Sequence, residues 1–188
     1  TYSLTTLVKW YDCDERHVEH VVNLSIQLFK QLRVLHKFPR QYLKVLKVAA
    51  TLHDCGMRIK YYNHQRHSWY MILNANLYGV THREIVLAAF TACCHKKEDI
   101  NPLDWARYKD ILREEDIEIV KRLGVMLRIA ESLDRSMSGC IKGINCDILG
   151  DSVIMKTEVE GDASLEIRDA MAAGAEFKKS FHKNLEIL

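Results

Sequence analysis

The six cysteines of this sequence form no CxxC pair and no even ladder of spacings. That argues against a disulfide framework and suits reduced thiols in a cytosol, so a cytoplasmic protein is expected. No apolar run is long enough to cross a bilayer and no signal peptide is visible, so no membrane partner is expected. Charge of one sign is lacking too. Lys and Arg number 27 against 25 Asp and Glu, a formal net charge of +2, which is too balanced for general nucleic-acid binding. Any phosphate chemistry must come from a local cluster. There is no internal repeat and no low-complexity segment, and the first residue is Thr1 rather than Met, as expected of a piece of a longer protein. What the chain does have is 48% hydrophobic residues over 188 positions, ordinary for a globular domain. That is enough for one sizeable core, or one core with a small appendage.

Asp12 or Asp14 can cap a helix that begins near Glu15, and Val18, Val21, Val22, Ser25, Leu28, Phe29 and Leu32 recur along it at helical spacing. Pro39 suits the first turn of a second helix, which carries Leu43, Leu46, Val48, Ala49, Ala50 and Leu52 and stops before Gly56, a natural residue just past a helix end. A third helix is expected from about His67. Thr81 and Glu84 form a capping box for a fourth, apolar all round, that ends near His95. Pro102 is read in a polar loop, followed by a short helix over 105–112 and a long amphipathic one ending near Asp134. After Gly139 the pattern changes. Two strands around Gly150–Asp151 read as a hairpin, "SLEI" as a third strand, 169–183 as a helix and "LEIL" as a last strand. The chain is therefore mainly α, divided into a helical body over 1–139 and a small α+β part over 140–188.

His17, His53, Asp54, His67, His95 and Asp134 all fall at helix termini, where several helices can aim side chains into one cleft. Imidazoles and carboxylates are the groups that hold divalent metals. Adjacent side chains on a helix point well apart, so His53 and Asp54 work together best where the helix is ending. The two oxygens of Asp54 can touch two ions, and two ions about 3.5–4 Å apart clamp a phosphate and bring the pKa of a bridging water to roughly 7. The plain alternative is a metal-free polar network at helix ends, with His67 and His95 as surface histidines. His64 reads as a ligand, a phosphate contact or an exposed residue, and His20 as solvated or packed. His36, His82 and His182 read as surface. Cys55 and Cys94 flank the candidate ligands, as thiolates or as small buried residues. Arg58, Lys60, Arg66, Lys96, Lys97 and Arg135 lie close in sequence to them, and together they can bind a polyanion through charge-assisted contacts. Tyr61, Tyr62, Trp69 and Tyr70 read as core and cleft wall.

The order His17, His53-Asp54 and Asp134 matches the signature of the HD phosphohydrolase superfamily. "RHVEHVVNLSIQLFKQL", "AATLHDCGMRIKYYNHQRHSWYMI", "THREIVLAAFTACCHKK" and "RLGVMLRIAESLDRS" resemble, in sequence, the C-terminal HD-like domain of the exopolyphosphatase / guanosine pentaphosphatase family. The resemblance covers most of residues 10–135, and the tail also looks like the end of that family. It implies an HD-type helical bundle followed by a small α+β subdomain. In that family two N-terminal actin-like domains with glycine-rich phosphate loops carry the hydrolysis, and no such loop occurs here. The HD-like domain helps to bind polyphosphate and to dimerise, and several members have lost its ligands, whereas this sequence keeps them.

The expected function is a metal-dependent phosphohydrolase acting on phosphoanhydride or phosphoester bonds, with polyphosphate the favoured substrate and a homodimer the expected state. His53 and Asp54 are its central catalytic pair. One divalent metal is expected on His17, His53, Asp54 and Asp134, a second on His67 and His95 with Asp54 bridging. Arg58, Arg66, Lys96, Lys97 and Arg135 bind substrate. Imidazole-rich sites favour Mn, Fe or Zn, and Mg is compatible as well. Two alternatives stand beside it. One is a non-catalytic polyphosphate-binding and dimerisation module serving an actin-like catalytic unit. The other is a phosphohydrolase acting on phosphorylated nucleotides, either guanosine polyphosphates or cyclic nucleotides.

Overall fold

Why a run of helices ends in a sheet is best followed along the chain. A computed structural model describes residues 2–96 and 99–188. The helices are α1 (Leu4–Trp10), α2 (Glu15–Gln31), α3 (Arg33–His36), α4 (Gln41–Leu52), α5 (His64–Leu73), α6 (His82–Cys94), α7 (Pro102–Ala106) and α8 (Glu115–Ser132), with a 3-10 turn at Cys55–Arg58. The strands β1 (Ile141–Leu149) and β2 (Ser152–Val159) follow, then α9 (Ser164–Met171), α10 (Gly174–Phe181) and β3 (Asn184–Ile187). Among the described residues no helix is long and apolar enough to cross a membrane.

Local chemistry sets the helix starts. Asp14 caps α2 by accepting from the His17 backbone N–H at 2.9 Å, which fixes the backbone of a candidate ligand. Thr81 and Glu84 form the full capping box of α6, with both reciprocal hydrogen bonds present. α4 and α6 are buried over most of their surfaces, and α2 and α8 pack across them.

β1 and β2 pair antiparallel across Gly150–Asp151, from Ile141 opposite Val159 to Leu149 opposite Ser152, and β3 adds parallel to β2. The sheet order is β1-β2-β3. β1 lies against α2, whose Gln27 and Gln31 side-chain oxygens accept from the Ile144 and Cys146 N–H groups at 2.8 and 3.1 Å. α9 and α10 pack on α8, and one apolar core runs from Leu24, Leu46 and Leu127 through Ile141, Met155 and Phe177.

Several expectations are corrected. The third helix begins at His64, because Asn63 enters it in a left-handed conformation with no side-chain cap. Pro102 opens α7 rather than sitting in a loop, with Asn101 as its cap, and α7 ends at Ala106. "SLEI" is not a strand but the first turn of α9, where Glu166 and Ala170, one turn apart, are buried together. The helix read over 169–183 is two helices broken at Ala172 and Ala173. His36 is buried, with its two ring nitrogens on the Phe29 carbonyl and the Phe38 N–H at 2.7 and 2.8 Å.

Candidate metal centre

α4 ends at His53, and Asp54 leads straight into the 3-10 turn. Gly56 is needed there for closeness rather than for a positive φ. A Cβ on it would lie 2.1 Å from the His64 carbonyl oxygen and 2.4 Å from the Ser68 nitrogen. The Gly56 N–H also donates to the Ser68 hydroxyl at 2.9 Å. The turn is thereby clasped to the start of α5, and His64 arrives beside Asp54. α6 delivers His95 from its C-terminal end, α2 delivers His17 from its first turn, and Asp134 follows α8.

Asp54 is the hub. Its Oδ1 lies 3.2 Å from His64 Nε2, and its Oδ2 lies 3.3 Å from His53 Nε2 and 3.9 Å from His17 Nε2. Each surrounding imidazole has its other nitrogen occupied. Nδ1 of His53, His64 and His95 faces the carbonyl three residues back, on Ala50, Tyr61 and Ala92. A carbonyl only accepts, so Nδ1 of each donates to it and Nε2 is the nitrogen turned to the cluster. His17 does the same with a carboxylate, since its Nδ1 donates to Asp134 Oδ2 at 2.7 Å.

Nε2 of His53, His64 and His95, together with Asp54 Oδ1, are buried without a hydrogen-bond partner among the described residues. Buried polar atoms are nearly always satisfied, so four orphans in one place call for an explanation. Two ligand sets account for them. His17, His53 and Asp54 form one; Asp54, His64 and His95 form the other; and within each set the ligand atoms lie within 4.8 Å of one another. Imidazoles oriented by backbone carbonyls, with a shared carboxylate, fit divalent transition ions well.

The charges are strongly coupled. Burial pushes the His95 imidazole down to about 4, with His53 and Lys96 pushing the same way against Glu131. Burial acts downward on His53 too, but the Asp54 carboxylate against it, helped by Glu131, lifts it to about 9. Asp54 is held far below the usual carboxylate range. His53, His64 and His95 together outweigh its burial.

The expected site residues divide. His17, His53, Asp54 and His95 come together. His67 belongs to neither ligand set; His64, one turn earlier, stands in its place. Asp134 stands behind His17, and its second oxygen accepts from the Gly139 N–H at 2.9 Å. Glu131, one turn before Asp134 and unnoticed in the sequence, is buried with Oε2 3.4 Å from His95 Nε2. The burial-raised Cys55 thiol, near 12, stays protonated, and neither it nor Cys94 enters a ligand set.

A cleft of about 260 Å³ opens on this cluster, and its lining includes Lys96, Arg135, Met57, Tyr61 and Met137. Lys96 pairs with Glu131 at its edge. Arg58 lines an adjoining recess with His17 and Asp54 while reaching Asp12 at 3.1 Å. Arg66 is engaged elsewhere, bonded to Asp104 of α7 at 2.8 Å and seated 5.1 Å over the Trp69 ring. Lys97 lies outside the described residues. Of the four aromatic residues expected in core and cleft wall, Trp69 is buried and Tyr61 borders the cleft, but Tyr62 and Tyr70 are exposed.

The family described as Ppx/GppA phosphatase, domain III, matches residues 1–168. Two proteins named guanosine-5'-triphosphate,3'-diphosphate pyrophosphatase are similar over 77 residues. The one from Aeromonas salmonicida (strain A449) is 32% identical and the one from Aeromonas hydrophila subsp. hydrophila 31%. Each match covers 40% of this chain and 16% of the relative.

Proposed function

Because the chain belongs to the Ppx/GppA phosphatase family, of which it carries domain III, we propose that it is a metal-dependent phosphohydrolase domain acting on phosphoanhydride or phosphoester bonds, with chains of phosphate favoured. The observation that carries this reading is the set of four buried, unpartnered ligand atoms on His53, His64, His95 and Asp54. A divalent ion held there would supply positive charge to phosphoryl oxygens and would acidify a nearby water. His17, His53, His64, His95 and Asp54 would hold the metal, with Glu131 beside His95; Mn, Fe or Zn suits this donor set better than Mg.

The rest falls to the chain's own groups. Asp134 and three backbone carbonyls fix the ring orientations in advance, so the Nε2 atoms need no reorientation. Lys96 and Arg135 at the mouth bind phosphoryl oxygens, Lys96 leaving Glu131 to do so.

Elemental analysis of protein purified without chelators, beside the Asp54→Ala variant, tests the reading. The wild type is expected to hold at least one equivalent of transition metal and the variant to lose it, together with any phosphatase activity. A wild type that stays metal-free after incubation with Mn, Fe or Zn overturns the proposal and leaves a phosphate-gripping module as the better account.

A further inference from the structure

Asp54 is the one carboxylate in both ligand sets of the cluster. A single negative charge is little against two divalent ions, and the half built on His64 and His95 has a second acid at hand. Glu131 of α8 is buried and turns Oε2 to His95 Nε2 at 3.4 Å, yet that nitrogen makes no hydrogen bond among the described residues. A buried carboxylate and an unpartnered imidazole nitrogen at this separation are placed as two ligands of one cation.

The other oxygen of Glu131 is already taken. Oε1 accepts from the ammonium of Lys96, the residue after His95. The pair is sheltered, with the Glu131 side chain 10% exposed and that of Lys96 28%. An ammonium in that place neutralises the carboxylate and repels a divalent ion brought to it. Lys96 also lines the cleft, so an anion entering there competes with Glu131 for the ammonium.

We infer that Glu131 is a further ligand of the ion held by Asp54, His64 and His95, and that Lys96 keeps this ligand closed until a phosphoryl anion draws the ammonium away. Lys96 thereby couples the second ion to the anion, each raising the affinity for the other. This rests on the proposed function, because it takes the cluster as a metal centre.

Mn(II) is titrated into metal-free protein with and without inorganic phosphate, and the free ion is followed by electron paramagnetic resonance. The wild type is compared with Lys96→Met, with Glu131→Gln and with the two combined, and the melting transition of each is recorded. The wild type is expected to bind a first equivalent in either condition and to bind a second about tenfold or more tightly once phosphate is present. Lys96→Met should bind the second that tightly without phosphate, and should melt lower than the wild type while metal-free, with Glu131 left unpaired. Glu131→Gln should keep the first equivalent and lose the second, with or without Lys96→Met. A second equivalent indifferent to phosphate in the wild type, or as weak in Lys96→Met as in the wild type, overturns the inference and leaves the proposed function standing. So does a wild type that takes one ion and never a second. The phosphate comparison needs no substitution, so it decides the matter even where a variant does not fold. No ion on the wild type in either condition, with Mn(II), Fe(II) or Zn(II), defeats the proposed function and the inference with it.

Discussion

At His53, His64 and His95 the Nδ1 proton rests on a backbone carbonyl and Nε2 faces Asp54 or Glu131. Their protonation states still differ. His53, lifted from an ordinary 6.5 to about 9, is charged at neutral pH in the metal-free protein; His95, lowered to about 4, is neutral. The linkage follows from these directions. The His53 contribution to metal-free stability is complete below pH 6.5 and is lost as pH rises through 9. His95 works at the other end, since between pH 6.5 and 4 the unfolded chain binds the proton that folded His95 refuses, and stability falls as acid is added. Metal binding must displace the His53 proton throughout the window from 6.5 to 9, so metal affinity is expected to rise with pH across it. Competition titrations against a chelator of known affinity check this. A flat profile between those values would show that His53 is not a ligand.

Among the elements, the joint between the 3-10 turn and α5 does most to assemble the site. Gly56→Ala forces a methyl group into the His64 carbonyl and the Ser68 nitrogen, backbone atoms that cannot rotate aside. A destabilisation of about 3 kcal/mol is expected, along with weakened metal binding as His64 withdraws from Asp54; thermal melting and metal content read the two separately. A variant as stable and as metal-rich as the wild type would disprove the clasp. The same joint shows where sequence reading stopped. His53-Asp54 was legible because two adjacent ligands need a terminating helix, and the capping box of α6 and the Gly150–Asp151 hairpin were legible because their turn chemistry is local. In the sequence His64 stays one reading among three, behind His67, because α5 starts at a left-handed Asn63, which carries no capping signal. Glu131 was hidden as one more acidic residue on an amphipathic helix; its burial comes from the packing of α6 on α8. "SLEI" misled because short alternation looks alike in a strand and in a helix's first turn.

For the whole molecule, the helical and strand-bearing parts share one core. A chain ending at Gly139 would uncover α2 where β1 lies on it and α8 where α9 and α10 lie. Such a chain is expected to lose its cooperative melting transition, followed by circular dichroism; a sharp transition at the temperature of the 188-residue chain would show that residues 1–139 fold alone. The candidate ligands therefore meet only when four helices have docked, and that has a consequence for how the site fails. Ala50, Tyr61 and Ala92 orient three imidazoles through main-chain oxygens, which no side-chain replacement removes. Only the alignment of His17 hangs on a side chain, that of Asp134. Among the groups that hydrogen-bond these ring nitrogens, substitution can remove that of Asp134 alone where four rings are being steered, and mutational drift in that set would find most of the orientation already out of reach.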